Sequence, residues 1–314
     1  MRIAIAGTGP LALNMMRALI ESRHEVVALI QNGRKTRGLM RSMTTSLYTV
    51  FGGQSSVIGI AIHNRLPILW IDRMGDRELA PLRALKPDLI LVGAFSIILK
   101  KPILDLPRIG CINTHSSLLP KHRGPNPFSA VILANEPETG VTFHVVDEGI
   151  DTGDILDQFT LPIGPTDTAM TIYNACAELA GQHVVKLMDR VEAKGLQGTP
   201  QDTAAASYEK NIEVENSYID WRRPAIEIDR LLRACKPMFL PRFRYRRRTV
   251  LVSRLKCHEE PTNATPGTVI EARPFVKIAT GNGSVSIVIA YTTGPLPWVW
   301  PMPWNRPAPG EILD

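Results

Sequence analysis

Asn113 and His115 stand two residues apart in the stretch GCINTHSSLLPKHRGPNP, from Gly110 to Pro127. If GCINTH is a strand, its period of two puts both side chains on one face and turns Thr114 away. They would also lie at the carboxyl end of that strand, where open α/β sheets receive their ligands. An amide N–H and an imidazolium N–H aimed at one point suit acyl transfer, because negative charge develops on the carbonyl oxygen as the tetrahedral centre forms. An imidazole needs a partner that sets its tautomer and its charge. The segment DEGIDTGDIL offers Asp147, Glu148, Asp151 and Asp154 in a loop punctuated by glycine. A plainer reading of the same residues is a capping Asn, a surface His and an acidic turn that binds nothing. Residue type and spacing leave both readings open.

A second candidate lies near the start, where GTGPLA places Gly7, Gly9 and Ala12 after an apolar run and before a helical one. That is a form of the dinucleotide fingerprint, which calls for an acidic residue at the end of the next strand to hold a ribose. EVVALIQN ends on Gln31 and Asn32 instead. A nicotinamide cofactor therefore lacks its second support, and a tight strand-to-helix turn is the favoured reading. Cys111, Cys176, Cys235 and Cys257 form no C-x-x-C pair, so reduced structural thiols and no metal are expected.

The elements that must position these residues alternate in the manner of an α/β sheet. RIAIAG, EVVALIQ, PILWI, PDLILVGAF and GCINTH are short apolar runs, and LALNMMRALIES, IGIAIHNRL, SAVILANE and TAMTIYNACAELAGQHVVKLMDRVEAKG have helical character. A doubly wound, mostly parallel sheet of Rossmann-like type is expected, its strands covered on both faces. Near GTPQDTAAA the texture turns small and polar, which sets a domain boundary with residues 1–205 before it and 206–314 after it. Beyond it AIEIDRLLRAC is an amphipathic helix, followed by RRTVLVSRL, GTVIEA, FVKIATGNG and VSIVIAY, strands of a small OB-like β-barrel. The Pro- and Trp-rich tail is too aromatic for a free linker and is expected to pack back on the body.

Composition bounds the function classes. The 314 residues, 44% of them apolar, fill a sizeable core, and no uninterrupted apolar run approaches a membrane span. MRIAIAGTGP lacks the order of a signal peptide, so a cytoplasmic location is the expectation. The net charge of +6 favours anionic partners. Much of the excess is clustered, in NGRKTRGLMR and PRFRYRRR.

The combination NTHSSLLPKHRG, EPETGVTFH and VDEGIDTGDIL resembles the folate-dependent formyltransferase family, whose hallmark is N-x-H, a Ser-Leu-Leu-Pro loop and a downstream D-x-G-x-D-x-G. The resemblance covers nearly the whole chain. RIAIAGTG, PDLILVGAFSIIL and YIDWRRPAIEIDRLLRACKP are similar to methionyl-tRNA formyltransferases and to relatives that formylate nucleotide-linked amino sugars, while PGTVIEA and IATGNGSVSI resemble their small C-terminal barrel. The resemblance implies Asn113, His115 and Asp151 as a catalytic trio and 10-formyltetrahydrofolate as donor. Its pteridine would lie against main-chain groups of Phe95, Ser96, Ile97 and Leu99 and of the loop holding Asp147, Glu148 and Ile150. Asn113 and protonated His115 would stabilise the oxyanion, and Asp151 would orient the imidazole and relay the amine proton to the departing folate nitrogen.

For the acceptor, Arg34, Lys35 and Arg37 of the basic loop, with Lys121 and Arg123, are candidates for phosphate contact; a solvated loop is the competing reading for the first three. The Pro-Ser-Pro-type segment of the tRNA enzymes is missing, and ACKPMFLPRF replaces their Pro-Trp-Pro-Gly-like turn. Methionyl-tRNA is the expected acceptor, a nucleotide-linked amino sugar the alternative, and a nucleic-acid-binding homologue without catalysis a third reading.

Overall fold

A computed structural model of the chain describes residues 1–33, 53–211, 213–236, 238–293, 299–301 and 306–313. Arg34, Lys35 and Arg37 lie outside the described residues. The chain forms two compact units: Met1–Pro127, Glu138–Pro162 and Thr171–Lys210 make the first, and Phe128–Pro137, Ile163–Met170 and Asn211–Asp314 the second. Among the described residues no helix is long and apolar enough to cross a membrane.

The first unit is built on a seven-stranded sheet of order β3-β2-β1-β4-β5-β6-β7. β1 (Arg2–Gly7), β2 (Glu25–Asn32), β3 (Ile68–Ile71), β4 (Leu89–Gly93) and β5 (Gly110–His115) are parallel. β6 (Glu138–Val145) and β7 (Ile155–Pro162) add to β5 as an antiparallel pair. The alternation of a doubly covered sheet is plain in β1. Ile3 and Ile5 pack with Leu11, Met15 and Leu19 of α1 (Gly9–Ile20) and with Ala177, Val184 and Met188 of α6 (Ala169–Lys194). Ala4 and Ala6 face the opposite layer, where Leu79 and Leu82 of α3 (Asp76–Ala84) close the core. Helix α2 (Val57–His63) has Ser56 as its N-cap, the hydroxyl accepting from Gly59 N at 3.0 Å, and α4 (Lys101–Leu104) is a single turn.

The order reverses beside β1, whose neighbours β2 and β4 are reached in opposite directions, so ligand chemistry is expected at the carboxyl ends of β1, β4 and β5. Gly7 closes this switch point tightly: a Cβ there would lie 1.9 Å from Gly93 O. Gln31 donates to Gly7 O at 2.6 Å and Asn32 to Ser96 Oγ at 2.7 Å, so the residues standing where a ribose-binding acid would be tie the turn to its neighbours.

The second unit contains α5 (Pro127–Leu133, counted from Phe128) and α7 (Ala225–Cys235). Its six-stranded antiparallel sheet comprises β8 (Arg242–Tyr245), β9 (Arg248–His258), β10 (Val269–Glu271), β11 (Val276–Ala279), β12 (Ser284–Thr292) and β13 (Val299–Trp300). The strand order is β10-β11-β12-β9-β8 with β13 against β12, a curled half-barrel. Trp221, Phe243, Tyr245 and Trp300 fill its core in edge-to-face pairs with centroids 5.3 to 5.8 Å apart. Through Trp300, which is 2% exposed, the tail contributes to that core.

Candidate active site

β5 delivers Asn113 and His115 to one face, and Thr114 turns the other way, its hydroxyl 3.2 Å from Met15 Sδ beneath the sheet. The antiparallel neighbour β6 sets His144 directly opposite Asn113. Beyond β6 the loop to β7 folds back and presents Asp151, whose backbone is held at φ +53°, a region Asp enters more readily than most residues. Four side chains therefore converge. Asn113 Nδ2 donates to Asp151 Oδ1 at 3.2 Å and lies 3.1 Å from His144 Nε2. His144 Nδ1 lies 2.8 Å from the Val145 carbonyl, and His144 Nε2 lies 3.4 Å from Asp151 Oδ1. His115 Nδ1 is 3.6 Å from Asp151 Oδ2, and His115 Nε2 is 2.8 Å from the His122 carbonyl. Gly124 N completes the shell, donating to Asp151 Oδ2 at 2.9 Å.

The cluster fixes charge states. Burial works against ionisation of Asp151, but His115, His144 and the Gly124 N–H outweigh it and hold the carboxyl well below the usual carboxylate range. Burial pushes the His115 imidazolium down by more than Asp151 and the His122 carbonyl push it up. The direction of the shift favours a neutral imidazole, its Nε2 directed at His122 O and its Nδ1 at the Asp151 carboxylate. That direction runs against the protonated His115 expected above, and its cause is desolvation: the residue is only 6% exposed. Cys111, buried in the same strand, has its thiol pushed up to about 12 by burial, which removes it as a nucleophile.

The other expected residues divide. Phe95 is half-buried and Ser96 exposed, whereas Ile97 and Leu99 are buried, so the last two can offer only main chain to a ligand. The chain turns after β4 at Ala94, with φ +55°. Among the described residues the main-chain groups of Phe95 to Ile98 make no hydrogen bond to other main-chain groups. Asp147, Glu148 and Ile150 are exposed, and the Asp147 carboxylate braces its own loop by accepting from Gly149 N at 3.0 Å and from Thr152 Oγ1 at 2.6 Å. Lys121 is exposed, but Arg123 is 2% exposed and bonded to Gln201 and Tyr208. That burial, with the guanidinium bonded inside the fold, makes Arg123 an internal residue. The motifs of the sequence do not single out His144, although its signal is present: in TFH, Thr142 and His144 alternate with the apolar Val141 and Phe143. A separate acidic group, His24 with Asp189 and Glu192, is held by Arg23, which lies 2.7 Å from each carboxylate.

Residues 1–188 match the family model described as formyl transferase, and residues 211–294 match that of the formyl transferase C-terminal domain. The chain belongs to the formyl transferase family. It is an enzyme of the formyltransferase class, similar to the methionyl-tRNA formyltransferase of Marinobacter nauticus, with 33% identity over 299 residues, 94% of this chain and 92% of that one. The N-formyltransferase from Helicobacter canadensis, solved in complex with folinic acid and dTDP-3-aminofucose, shares the fold with a TM-score of 0.67 at 22% identity, over 91% of this chain and 98% of that one. HypX from Aquifex aeolicus, solved with tetrahydrofolic acid, matches with a TM-score of 0.65 at 21% identity; this chain covers 46% of it, so it spans about half of that protein's length.

Proposed function

We propose that this formyltransferase moves a formyl group from 10-formyltetrahydrofolate to the primary amine of methionyl-tRNA. The Asp151-centred cluster at the end of β5 carries the chemical part of this reading. The acceptor rests on the relative that matches over 94% of the chain.

The open main-chain stretch at Phe95, Ser96, Ile97 and Leu99, together with the loop holding Asp147, Glu148 and Ile150, fits a flat heteroaromatic ring with hydrogen-bonding edges. Ile98 and Ile150, 63% and 50% exposed, supply apolar surface beside it. When bound, the donor supplies an activated formyl carbon. Neutral His115, with Asp151 beside it, takes up the proton that the attacking amine loses and returns it to the leaving nitrogen, so the enzyme ends in its starting state. Asn113 exchanges its contact with His144 for the formyl oxygen and keeps the charge-assisted bond to Asp151, which orients the amide. Asp151 stabilises the imidazolium while the proton resides there.

The second unit supports an RNA acceptor. Arg244, Arg246, Arg247 and Arg248 are exposed around β8 and β9, and Arg244 stacks over the Tyr218 ring at 5.9 Å from its centroid. A nucleotide-linked amino sugar is the second reading, favoured by the likeness to the Helicobacter canadensis enzyme solved with such a sugar. The discriminating experiment supplies 10-formyltetrahydrofolate with charged initiator methionyl-tRNA or with a panel of nucleotide-linked amino sugars. Turnover on the tRNA that weakens steeply with salt is the expected result. Turnover on a sugar alone reverses the assignment.

A further inference from the structure

The segment after Gly198 has the composition of a linker, yet it lies across the loop that follows β5. His122 N donates to Ser207 Oγ at 2.8 Å, Arg123 N to Ser207 O at 2.9 Å, and Glu209 N to Arg123 O at 2.8 Å. His122 Nδ1 meets Glu209 Oε1 at 2.9 Å. The approach is close enough to require glycine next door: a Cβ on Gly124, at φ +110°, would lie 2.5 Å from Glu209 O. From this strap Gln201 reaches inward. Its Nε2 donates to Asp151 O at 2.9 Å and to Gly153 O at 2.7 Å, and its Oε1 accepts from Arg123 Nε at 3.2 Å and Nη2 at 2.7 Å. Arg123 Nη1 donates in turn to Tyr208 Oη at 2.7 Å.

We infer that Gln201, with its amide locked by Arg123, is a positioning residue for the catalytic carboxylate, and that the strap is part of the active centre. The arrangement has only one favourable sense. A guanidinium only donates and two carbonyls only accept, so the amide between them cannot turn over without setting donor against donor and acceptor against acceptor. Gln201 thereby pins the main chain of Asp151 in a conformation few residues adopt. Gly124, the neighbour of Arg123, holds the carboxylate of the same residue, and the His122 carbonyl holds His115. The run His122–Gly124 thus fixes both members of the proton-transfer pair, and the strap fixes that run. This inference rests on the proposed role of Asp151 in formyl transfer.

The test compares wild type, Gln201→Ala, Gln201→Glu and Asp151→Asn by steady-state formyl transfer, by circular dichroism at the assay temperature, and by NMR titration of the His115 ring. The groups facing that ring are Asp151, His144, and His122 with its partner Glu209. Gln201→Ala is expected to stay folded and lose about 10- to 100-fold in kcat, with the KM for the donor changing by less than about threefold, as misplacement of a reacting group requires. The His115 titration should move to lower pH as Asp151 drifts away. Gln201→Glu keeps the volume and pairs with Arg123, which protects folding, but turns an acceptor toward two carbonyls; kcat should fall comparably. Wild-type kcat with an unmoved His115 titration in either variant overturns the inference. So does a loss of rate no greater than the fraction of protein unfolded. If Asp151→Asn itself turns over like wild type, the proposed role of Asp151 fails and the inference with it, an outcome separate from failure of the strap alone.

Discussion

Two basic stretches, PKHRG just after β5 in the first unit and PRFRYRRR in the second unit, hold their arginines in opposite ways. In the first, Arg123 is buried and bonded to Gln201 and Tyr208, and His122 is engaged by Glu209. In the second, apolar Phe243 and Tyr245 alternate inward while Arg244, Arg246, Arg247 and Arg248 remain at the surface. Pattern explains the difference. The strand alternates aromatic and basic residues and so sorts them between core and water, whereas the Pro- and Gly-bounded loop folds back on itself and draws its arginine inside. A basic cluster therefore signals a partner only when some element holds its charges outward, and the two stretches should answer differently to substitution.

The largest expected effect is at the cluster that the first stretch supports. His115→Ala should lower kcat by about 10²- to 10⁴-fold with the fold intact, measured by single-turnover formyl transfer alongside circular dichroism. Next, Arg123→Ala should cost about 3 kcal/mol in urea unfolding, because it opens a cavity and takes from Gln201 Oε1 its donor. The second stretch should behave in the opposite way: replacing Arg244, Arg246 and Arg247 by Gln should leave urea stability within about 0.5 kcal/mol. The same triple replacement should weaken RNA binding and flatten its salt dependence by roughly one unit of slope for each phosphate no longer neutralised. Equal losses of stability in the two stretches would erase the contrast between them.

A smaller effect separates His115 from an exposed histidine by pH. Because burial holds the His115 pKa below its ordinary value of about 6.5, the neutral base persists to lower pH than it would in water, and the acid limb of kcat/KM should lie below about 6.5. Stability moves in the same sense. Between the folded-state pKa and about 6.5 the unfolded chain binds the extra proton, so this contribution is complete above 6.5 and is lost as the pH falls. An acid limb at or above 6.5 would show that desolvation does not govern the site.

Much of the fold is legible in the sequence. β1, β2 and β4 hold the apolar runs that burial on both faces demands, and in β5 the N-x-H pair is placed on one face by the period of a strand. Three features are not legible, each for a physical reason. The antiparallel pair β6 and β7 begins or alternates with polar residues, and nothing local sets its register against β5; His144 therefore has no visible partner in the sequence although Asn113 faces it. Gln201 sits in GTPQDTAAA, which lacks periodicity because its role is a set of hydrogen bonds to distant residues. The charge of His115 depends on how deeply the ring is buried, and spacing contains no measure of depth.

If His115 and Asp151 act as one proton-handling unit, their removal must not be additive. Single-turnover formyl transfer in His115→Ala, Asp151→Asn and the double variant measures this. The double variant should be no slower than the worse single variant, within about threefold, because removing either partner already disables the unit. Losses that multiply, with the double variant slower by the product of the two single effects, would mean that the two residues act independently and would contradict the proposed mechanism.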